Sequence, residues 1–343
     1  MKTLITVLFL VTCLKSQSQN PKIEEVCQFK GQQVTGVTVS QNGRIFTNFP
    51  RWRETVENSV VEVDNNGTPT PYPNKTWNNW EVDKPVSDSI FVAVQSVVAD
   101  ANKLYVLDTR NSLWKGVIDT PRIFVFNLSN NTLEDILLLS KDSYKPNSYT
   151  NDLRIDHKNK VIFITDSNDG AIIVYNLNTR SSKRVLDNHY STEAETNHLN
   201  FKGNKWGGHP VHSDGIALNI DNNRLFYHSL TGYTLYSAPT NILTNGSEKE
   251  IEASVKKEAK TGAPDGMIFD SHGNLYLADL EHSKIDYLTP EGKLKTLAQG
   301  EDIKWADTFS IHKGYLYFTN SRINEIKGDI SNMTFTINRI KID

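Results

Sequence analysis

The stretch Ser213-Asp214-Gly215-Ile216-Ala217-Leu218 decides the fold, because five other segments of the chain repeat its pattern. A small or acidic polar residue opens a short apolar run, a turn follows, and the chain returns as a second strand, here Arg224–Tyr227. The other five runs are Thr35-Gly36-Val37-Thr38-Val39, Gln95-Ser96-Val97-Val98-Ala99-Asp100, Asn151-Asp152-Leu153-Arg154-Ile155-Asp156, Pro264-Asp265-Gly266-Met267-Ile268-Phe269-Asp270 and Ala306-Asp307-Thr308-Phe309-Ser310-Ile311.

These units begin roughly 40 to 60 residues apart, a period typical of four-stranded β-propeller blades. A lone blade cannot bury both of its faces, whereas blades packed radially bury a shared core. The six units therefore predict an all-β, six-bladed propeller. In such a ring every innermost strand begins beside the central channel, so the polar groups at these six starts are expected to converge there.

Composition and charge exclude several classes of protein. Apolar residues make up 38% of the 343 residues, which is enough for a large core. The formal charge is -3 with both signs interspersed, so neither a nucleic-acid surface nor a polybasic membrane patch is predicted. The chain lacks a nucleophile elbow, a phosphate loop and a dinucleotide fingerprint. Residues 19–343 are interpreted as a single propeller domain.

Residues 1–18 have a charged start, an apolar run and a small, polar end, which is the order of a secretory signal peptide. A secreted or periplasmic protein without a membrane-spanning segment in the mature chain is therefore expected. Cleavage after Ser18 would remove Cys13 and leave Cys27 alone, so no intrachain disulfide is predicted. A lipoprotein signal at Cys13 is the alternative, although Thr12 is larger than the residue that such a site prefers.

Several segments, in this order, together resemble the yellow and major royal jelly protein family. They are Phe49-Pro50-Arg51-Trp52-Arg53, Leu104-Tyr105-Val106-Leu107-Asp108-Thr109, Pro121-Arg122-Ile123-Phe124-Val125-Phe126, the runs that begin at Asn151, Asp214 and Asp307, and Ile164-Thr165-Asp166-Ser167 with Ile172-Ile173-Val174-Tyr175. The resemblance covers the chain from about residue 25 to about residue 340.

The resemblance implies a secreted six-bladed propeller. Some members of this family bind small aromatic amines in the channel, and others convert dopachrome-type compounds. The chain differs from the insect members in keeping a single cysteine after cleavage, and its short export signal looks like that of a bacterial member. A binding or isomerising role toward a small aromatic or cationic molecule is thus expected. An extracellular interaction scaffold without enzymatic activity is the alternative.

Five residues at the strand starts are candidate ligand-binding groups: Asn151, Asp152, Asp214, Asp265 and Asp307. Clustered carboxylates repel one another, which raises their pKa values unless a cation compensates. The cluster is therefore interpreted either as a site for a protonated amine, helped by cation–π contacts, or as a site for a hard divalent metal such as Ca²⁺. Alternatively, each aspartate caps the turn of its own Asp-Gly segment.

The metal interpretation gains from a weaker second resemblance. Ser213-Asp214-Gly215 and Pro264-Asp265-Gly266-Met267 are similar to the metal-binding strand starts of gluconolactonase-type propellers, in which the metal polarises a lactone carbonyl. This makes Asp214 and Asp265 candidate metal ligands and metal-dependent lactone hydrolysis an alternative function. Those enzymes also use a glutamate in the first blade, whereas this chain has Gln33-Val34-Thr35-Gly36 there.

Other candidates come from loops and strand ends. His209 and His212, just before the fourth unit, are candidate general bases because imidazole titrates near neutral pH. Asn320 and Arg322 follow the last inner strands and are expected to face the same opening. Trp52 is expected to pack. Two long connections, Pro69–Asp88 and Asp187–His212, are interpreted as lids or packed subdomains.

Overall fold

The computed structural model describes residues 21–342, and β-strands dominate this part of the chain. The predicted signal peptide, residues 1–18, lies outside the described residues. The strands are β1 (Ile23–Lys30), β2 (Val37–Val39), β3 (Ile45–Asn48), β4 (Val60–Val63), β5 (Pro69–Pro71), β6 (Val94–Asp100), β7 (Lys103–Asp108), β8 (Arg122–Asn127), β9 (Thr132–Leu138), β10 (Thr150–Asp156), β11 (Val161–Asp166), β12 (Ala171–Asn176), β13 (Ser181–Val185), β14 (His198–Phe201), β15 (Asn204–Gly207), β16 (Ser213–Asn219), β17 (Arg224–Ser229), β18 (Thr234–Pro239), β19 (Lys256–Lys260), β20 (Met267–Phe269), β21 (Leu275–Asp279), β22 (Lys284–Leu288), β23 (Leu294–Gln299), β24 (Ala306–His312), β25 (Tyr315–Asn320) and β26 (Thr334–Lys341).

Helices are few and short. The α-helices α1 (Thr240–Asn245) and α2 (Glu248–Ser254) lie between β18 and β19. Single 3-10 turns span Thr76–Asn78, Ser112–Trp114, Lys141–Ser143 and Ile323–Glu325. Within residues 21–342, none of the helices has the length and apolar character needed to cross a membrane.

Six four-stranded antiparallel sheets form the blades. Blades 1 to 5 are β2–β5, β6–β9, β10–β13, β16–β19 and β20–β23, each in sequence order from the channel outward. Blade 6 takes β24, β25 and β26 from the end of the chain and its outermost strand, β1, from the start. The innermost strands contact one another in cyclic order, including β2 with β24. The six-bladed all-β prediction is confirmed, and its six predicted inner strands are β2, β6, β10, β16, β20 and β24.

The core lies mainly between the blades rather than in one central layer. Phe46 and Tyr72 of blade 1 pack with Leu104, Phe124 and Phe126 of blade 2 in a buried cluster. A second cluster joins the two ends of the chain to blade 1, with Phe29 of β1 and Phe335 of β26 beside Phe49. The closing strand is therefore part of the core and not an accessory edge.

The two long connections have different roles. The first, Pro69–Asp88, supplies the outer strand β5 and places Trp77 against Phe91, Phe124 and Phe126. It is structural. The second, Asp187–His212, contains the two-stranded sheet β14–β15, which belongs to no blade. Its Trp206 packs on Trp305 immediately before blade 6, with ring centroids 4.7 Å apart, so this hairpin lies over one mouth of the ring.

Close packing between blades explains why glycine follows aspartate at two of the strand starts, independently of any turn capping by the aspartate. A Cβ on Gly215 would lie 2.7 Å from both the Asp265 carbonyl oxygen and Met267 Sδ of the next blade. A Cβ on Gly266 would lie 3.1 Å from the Asp307 carbonyl oxygen of the blade after that. Only glycine lets neighbouring inner strands approach this closely.

This packing predicts a graded effect of alanine at the two glycines. Gly215→Ala is expected to lower the free energy of unfolding by about 1–3 kcal/mol through overpacking against backbone. Gly266→Ala is expected to lower it less, because its nearest neighbour is farther away. Urea denaturation of both variants measures the difference. Equal stability of the two variants and the wild type would contradict the close-approach explanation.

Candidate functional site

A cavity of about 450 Å³ occupies the mouth of the ring at which the innermost strands begin. This volume is in the range of small-molecule sites. Its walls combine aromatic, amide and carboxylate side chains with the β14–β15 hairpin loop. The lining residues are Trp52, Gln95, Trp114, Tyr149, Asn151, Ser167, Asn168, Trp206, His209, Pro210, Val211, Asp214, Leu230, Asp265, Asp307 and Ile323.

In blades 3, 4 and 6, a β-bulge at the start of the inner strand turns a polar side chain toward the cavity. The register with the second strand shifts between Thr150 and Leu153 in blade 3, between Ser213 and Ile216 in blade 4, and between Ala306 and Phe309 in blade 6. The residue that follows the first paired position in these bulges is Asn151, Asp214 or Asp307. Bulges commonly redirect side chains beside functional sites. In blade 5, Asp265 comes two residues before β20.

Three carboxyl groups in the cavity wall, those of Asp214, Asp265 and Asp307, are without a cationic partner. None of the ion pairs within residues 21–342 includes them. Burial raises the pKa of Asp214 to about 8, with a further contribution from the charge of Asp152. Burial also raises the pKa values of Asp265 and Asp307 well above the usual value, and repulsion among the carboxylates adds to this.

Neutral donors hold one oxygen of each of these carboxyl groups. Asn151 Nδ2 donates to Asp214 Oδ1, and Trp305 Nε1 donates to Asp265 Oδ2 at 2.7 Å. The hydroxyl of Thr308 lies 3.4 Å from Asp307 Oδ1. These bonds orient the carboxyl groups but supply no positive charge. The cavity wall can therefore accept a cation.

Asp152, also predicted as a ligand group, is not part of the cavity lining. Its carboxylate accepts hydrogen bonds from Ser96 Oγ at 2.7 Å and from Arg154 Nη1 at 2.8 Å. Arg154 reaches on across the channel, where its Nη2 donates to the Met267 carbonyl at 2.9 Å. The ion pair therefore forms the floor below the three unpaired carboxyl groups.

An aromatic wall faces the carboxyl groups. The Trp52 and Trp114 rings are stacked with centroids 5.3 Å apart, and Trp114 stacks on Tyr149 at 6.3 Å. The Trp114 side chain remains 57% exposed, so an aromatic surface is available to a ligand. Its loop is unusual, because Arg110, Leu113 and Trp114 all have positive φ. The fully buried Arg110 side chain anchors this loop.

A row of hydrogen bonds links the aromatic wall to the carboxyl groups. Trp52 Nε1 donates to Tyr149 Oη at 2.6 Å, and Tyr149 Oη donates to Gln95 Oε1 at 2.7 Å. Gln95 Nε2 donates to Asn151 Oδ1 at 2.8 Å, and Asn151 donates to Asp214. Side chains from the first four blades and their loops thus form one connected wall.

Of the two predicted histidines, only His209 lines the cavity, on the exposed loop after β15. His212 lies behind it and accepts a hydrogen bond from the Ala194 amide through Nδ1 at 3.1 Å. Burial lowers the pKa of His212. Its Nδ1 thus holds the connection between blades 3 and 4, and the role of His212 as a base stays a prediction.

Asn320 and Arg322 do not face the cavity, which corrects the prediction for both. Asn320 ends β25 and accepts from the Lys304 amide at 2.7 Å. Asp108 and Asp166 end the second strands of blades 2 and 3 and accept backbone amide hydrogen bonds in the same way. Asn320 is therefore the blade 6 member of a structural repeat. Arg322 is bound to Glu325 and to the Thr334 carbonyl.

The carboxyl groups do not fit a metal site. Residues 21–342 contain no group of three or more His, Cys, Asp or Glu side chains placed to hold a metal ion. One oxygen of Asp214 and one of Asp265 already accept N–H groups, and the nearby Asp152 is paired with Arg154. Gln33, which stands where the glutamate was expected, donates to the Ser321 carbonyl and accepts from Arg53.

Four residues of the cavity wall were not predicted from the sequence: Gln95, Trp114, Tyr149 and Trp206. Gln95 had a detectable signal, since it lies within the blade 2 register shift and so repeats the position of Asn151, Asp214 and Asp307. Tyr149 and Trp206 lie on connections between blades and Trp114 lies on the β7–β8 connection within blade 2, at places that the repeat does not mark. Trp52 packs as expected, and it does so against Trp114 in the wall of the cavity.

The model of the major royal jelly protein family matches residues 92–343. A search of curated protein sequences found no match.

Solved structures share the fold. A luciferin-regenerating enzyme has a TM-score of 0.59 at 13% identity, with 94% of this chain and 95% of that chain covered. A gluconolactonase from Xanthomonas campestris has a TM-score of 0.60 at 12% identity, with 94% and 90% covered. Regucalcin from Agrobacterium tumefaciens, a calcium-binding protein, has a TM-score of 0.55 at 13% identity, with 94% of each covered. At these identities the similarity shows the fold alone.

Proposed function

Because this chain belongs to the major royal jelly protein family, we propose that its cavity binds a small aromatic molecule carrying a positive charge. The observation that carries the proposal is the presence, in one cavity, of carboxyl groups without a cation and of stacked aromatic side chains. Neither feature alone identifies a ligand class. Together they match the two ends of an aromatic amine.

The aromatic wall supports recognition of the ring. Trp114 presents an exposed indole face that is already stacked on Trp52 from behind. Such a face can stack on a planar ligand or attract a cation, and each interaction contributes on the order of 1 kcal/mol. The Trp52 hydrogen bond to Tyr149 keeps the wall in place before the ligand arrives.

The carboxyl groups support recognition of the charge. Mutual repulsion and burial make the ionised forms of Asp214, Asp265 and Asp307 unfavourable in the free protein. A bound ammonium group relieves both penalties, because an opposite charge nearby favours the ionised carboxylate. A neutral ligand of the same shape gains none of this stabilisation.

Removing the Trp114 indole tests the aromatic half of the site. Trp114→Ala is expected to weaken binding of tryptamine about tenfold or more, since a stacked aromatic contact contributes about 1.4 kcal/mol here. Isothermal calorimetry measures the change. Tyr190→Ala is the matched control, because Tyr190 is 62% exposed but does not line the cavity. Equal affinity of the two variants would remove the aromatic wall from the proposal.

The proposal extends from binding to isomerisation of the bound ligand. A carboxyl group whose pKa lies near neutral pH can both give and accept a proton, as a tautomerisation requires. The family resemblance supplies dopachrome-type compounds as the first probes. The assay follows their colour loss with the wild-type protein and with Asp214→Asn. Colour loss that does not differ between the two leaves a binding protein or an extracellular scaffold as the better description.

Metal-dependent lactone hydrolysis is the second candidate, favoured by the fold similarity to a gluconolactonase and to a calcium-binding regucalcin. The donor set described above does not fit a metal ion, so weak or absent lactone hydrolysis is expected. Hydrolysis of a lactone that a chelator abolishes and Ca²⁺ or Mn²⁺ restores would establish this alternative. Asp265→Ala would then lose both the ion and the turnover.

A further inference from the structure

The hydrogen bonds of the row that ends at Asp214 all run in one direction, from Trp52 toward Asp214. An indole N–H can donate but cannot accept, so Trp52 makes the Tyr149 oxygen an acceptor. The Tyr149 O–H donates to the oxygen of Gln95. The amide of Gln95 consequently turns its NH₂ group toward Asn151.

The same logic reaches the carboxyl group. The Asn151 oxygen accepts from Gln95, so its NH₂ group faces Asp214 and donates to Oδ1. Oδ1 is thereby an acceptor in every protonation state of Asp214. A proton carried by this carboxyl group can therefore reside only on Oδ2.

The groups around Asp214 come from four directions. Blade 3 contributes Asp152 with its partner Arg154, and the segment before β10 contributes Tyr149. Blades 5 and 6 contribute Asp265 and Asp307, which repel an ionised Asp214. The hairpin loop contributes His209, which lines the same cavity. Arg154, the cation in the floor, is already paired with Asp152.

We propose that an ammonium ligand enters the cavity in exchange for the proton on Asp214 Oδ2. The inference rests on the proposed function and specifies how the site selects a cation. The Oδ2–H bond breaks, the proton leaves to the buffer, and the carboxylate pairs with the ammonium group. The charge inside the cavity is the same before and after exchange, so the buried site never holds an uncompensated charge.

Proton exchange predicts how affinity depends on pH. A group that is protonated in the free site and ionised in the complex releases one proton, so affinity rises about tenfold per pH unit below its pKa. For Asp214 this range ends near the pKa of about 8, above which affinity becomes constant. A ligand without a charge has no such dependence.

The experiment is calorimetry of tryptamine and of its neutral analogue tryptophol, at about pH 6.5, in two buffers of different ionisation enthalpy. The wild-type protein is expected to release about one proton per tryptamine bound and none per tryptophol. Asp214→Asn is expected to lose the proton release. Asp221→Asn, the matched control in the exposed turn after β16, is expected to retain it.

Each result decides a different point. Tryptamine binding without proton release overturns the exchange and leaves the proposed function intact. Proton release that persists in Asp214→Asn overturns the assignment to Asp214. Absence of heat with both ligands at several temperatures overturns the proposed function and the exchange together. Gln95→Leu provides a further check, because it breaks the row of hydrogen bonds that orients Asp214. This variant is expected to shift the pH dependence of tryptamine affinity, while the hydrogen bond between Trp305 and Asp265 on the opposite wall is kept.

Discussion

A chain that begins at residue 32 is expected to be largely unfolded at 25 °C, whereas a chain that begins at residue 21 is expected to fold. The difference is β1, which completes blade 6 and pairs with β26 along Ile23 to Lys30. Its loss exposes the edge of β26 and removes Cys27 and Phe29 from the core that includes Phe335. Loss of a buried Phe alone costs about 3–5 kcal/mol, a large part of the stability of a typical domain.

Circular dichroism and urea denaturation of the two chains measure this effect. Phe29→Ala in the longer chain provides an intermediate case, because it removes one core side chain and keeps the strand. A shorter chain with the same unfolding midpoint as the longer one would show that the ring does not depend on closure by β1. The expected order of stability is the longer chain, then Phe29→Ala, then the shorter chain.

The second large effect concerns the three unpaired carboxyl groups. Replacing Asp214, Asp265 and Asp307 together by Asn is expected to weaken tryptamine binding at least a hundredfold, which corresponds to about 2.7 kcal/mol. The same triple variant is expected to be more stable than the wild type above about pH 8. Binding and stability therefore change in opposite directions, as is common for functional sites.

The sign of the stability change follows from the pKa shifts. Folding raises the pKa values of these groups. The wild-type protein therefore loses stability as the pH rises from the pKa of the unfolded state to the pKa of the folded state. The Asn variant has no proton to lose and keeps its stability over this range. Urea denaturation at about pH 5 and about pH 9 tests this. A wild-type protein that is more stable than the triple variant at the higher pH would show that the carboxylates are stabilised by a cation.

The repeat in the sequence was sufficient to predict the blades. Each inner strand was expected within a few residues of its observed position, because alternating burial and turn residues are local properties of the chain. Asp214, Asp265, Asp307 and Asn151 line one cavity, since every blade places the start of its inner strand at the same mouth of the channel.

The errors came from residues whose role depends on partners elsewhere in the chain. Asn320 looked like a channel residue because it follows an inner strand, but its amide holds the Lys304 backbone, as Asp108 and Asp166 hold theirs. Asp152 looked equivalent to Asp214, yet Arg154 neutralises it. An ion pair two residues apart in one strand cannot be distinguished from two separate side chains without the strand geometry.

The sequence by itself determined the fold class, the number of blades and the mouth at which polar groups collect, because a repeated local pattern leaves few ways to bury its apolar faces. Only the tertiary structure decided which carboxyl groups lack a cation and which aromatic side chains face them. Trp52, Trp114 and Tyr149 come from separate connections, and they meet because blades 1, 2 and 3 pack side by side. The pKa values of Asp214, Asp265 and Asp307 are likewise set by burial and mutual repulsion across blades, which exist only once the chain has folded.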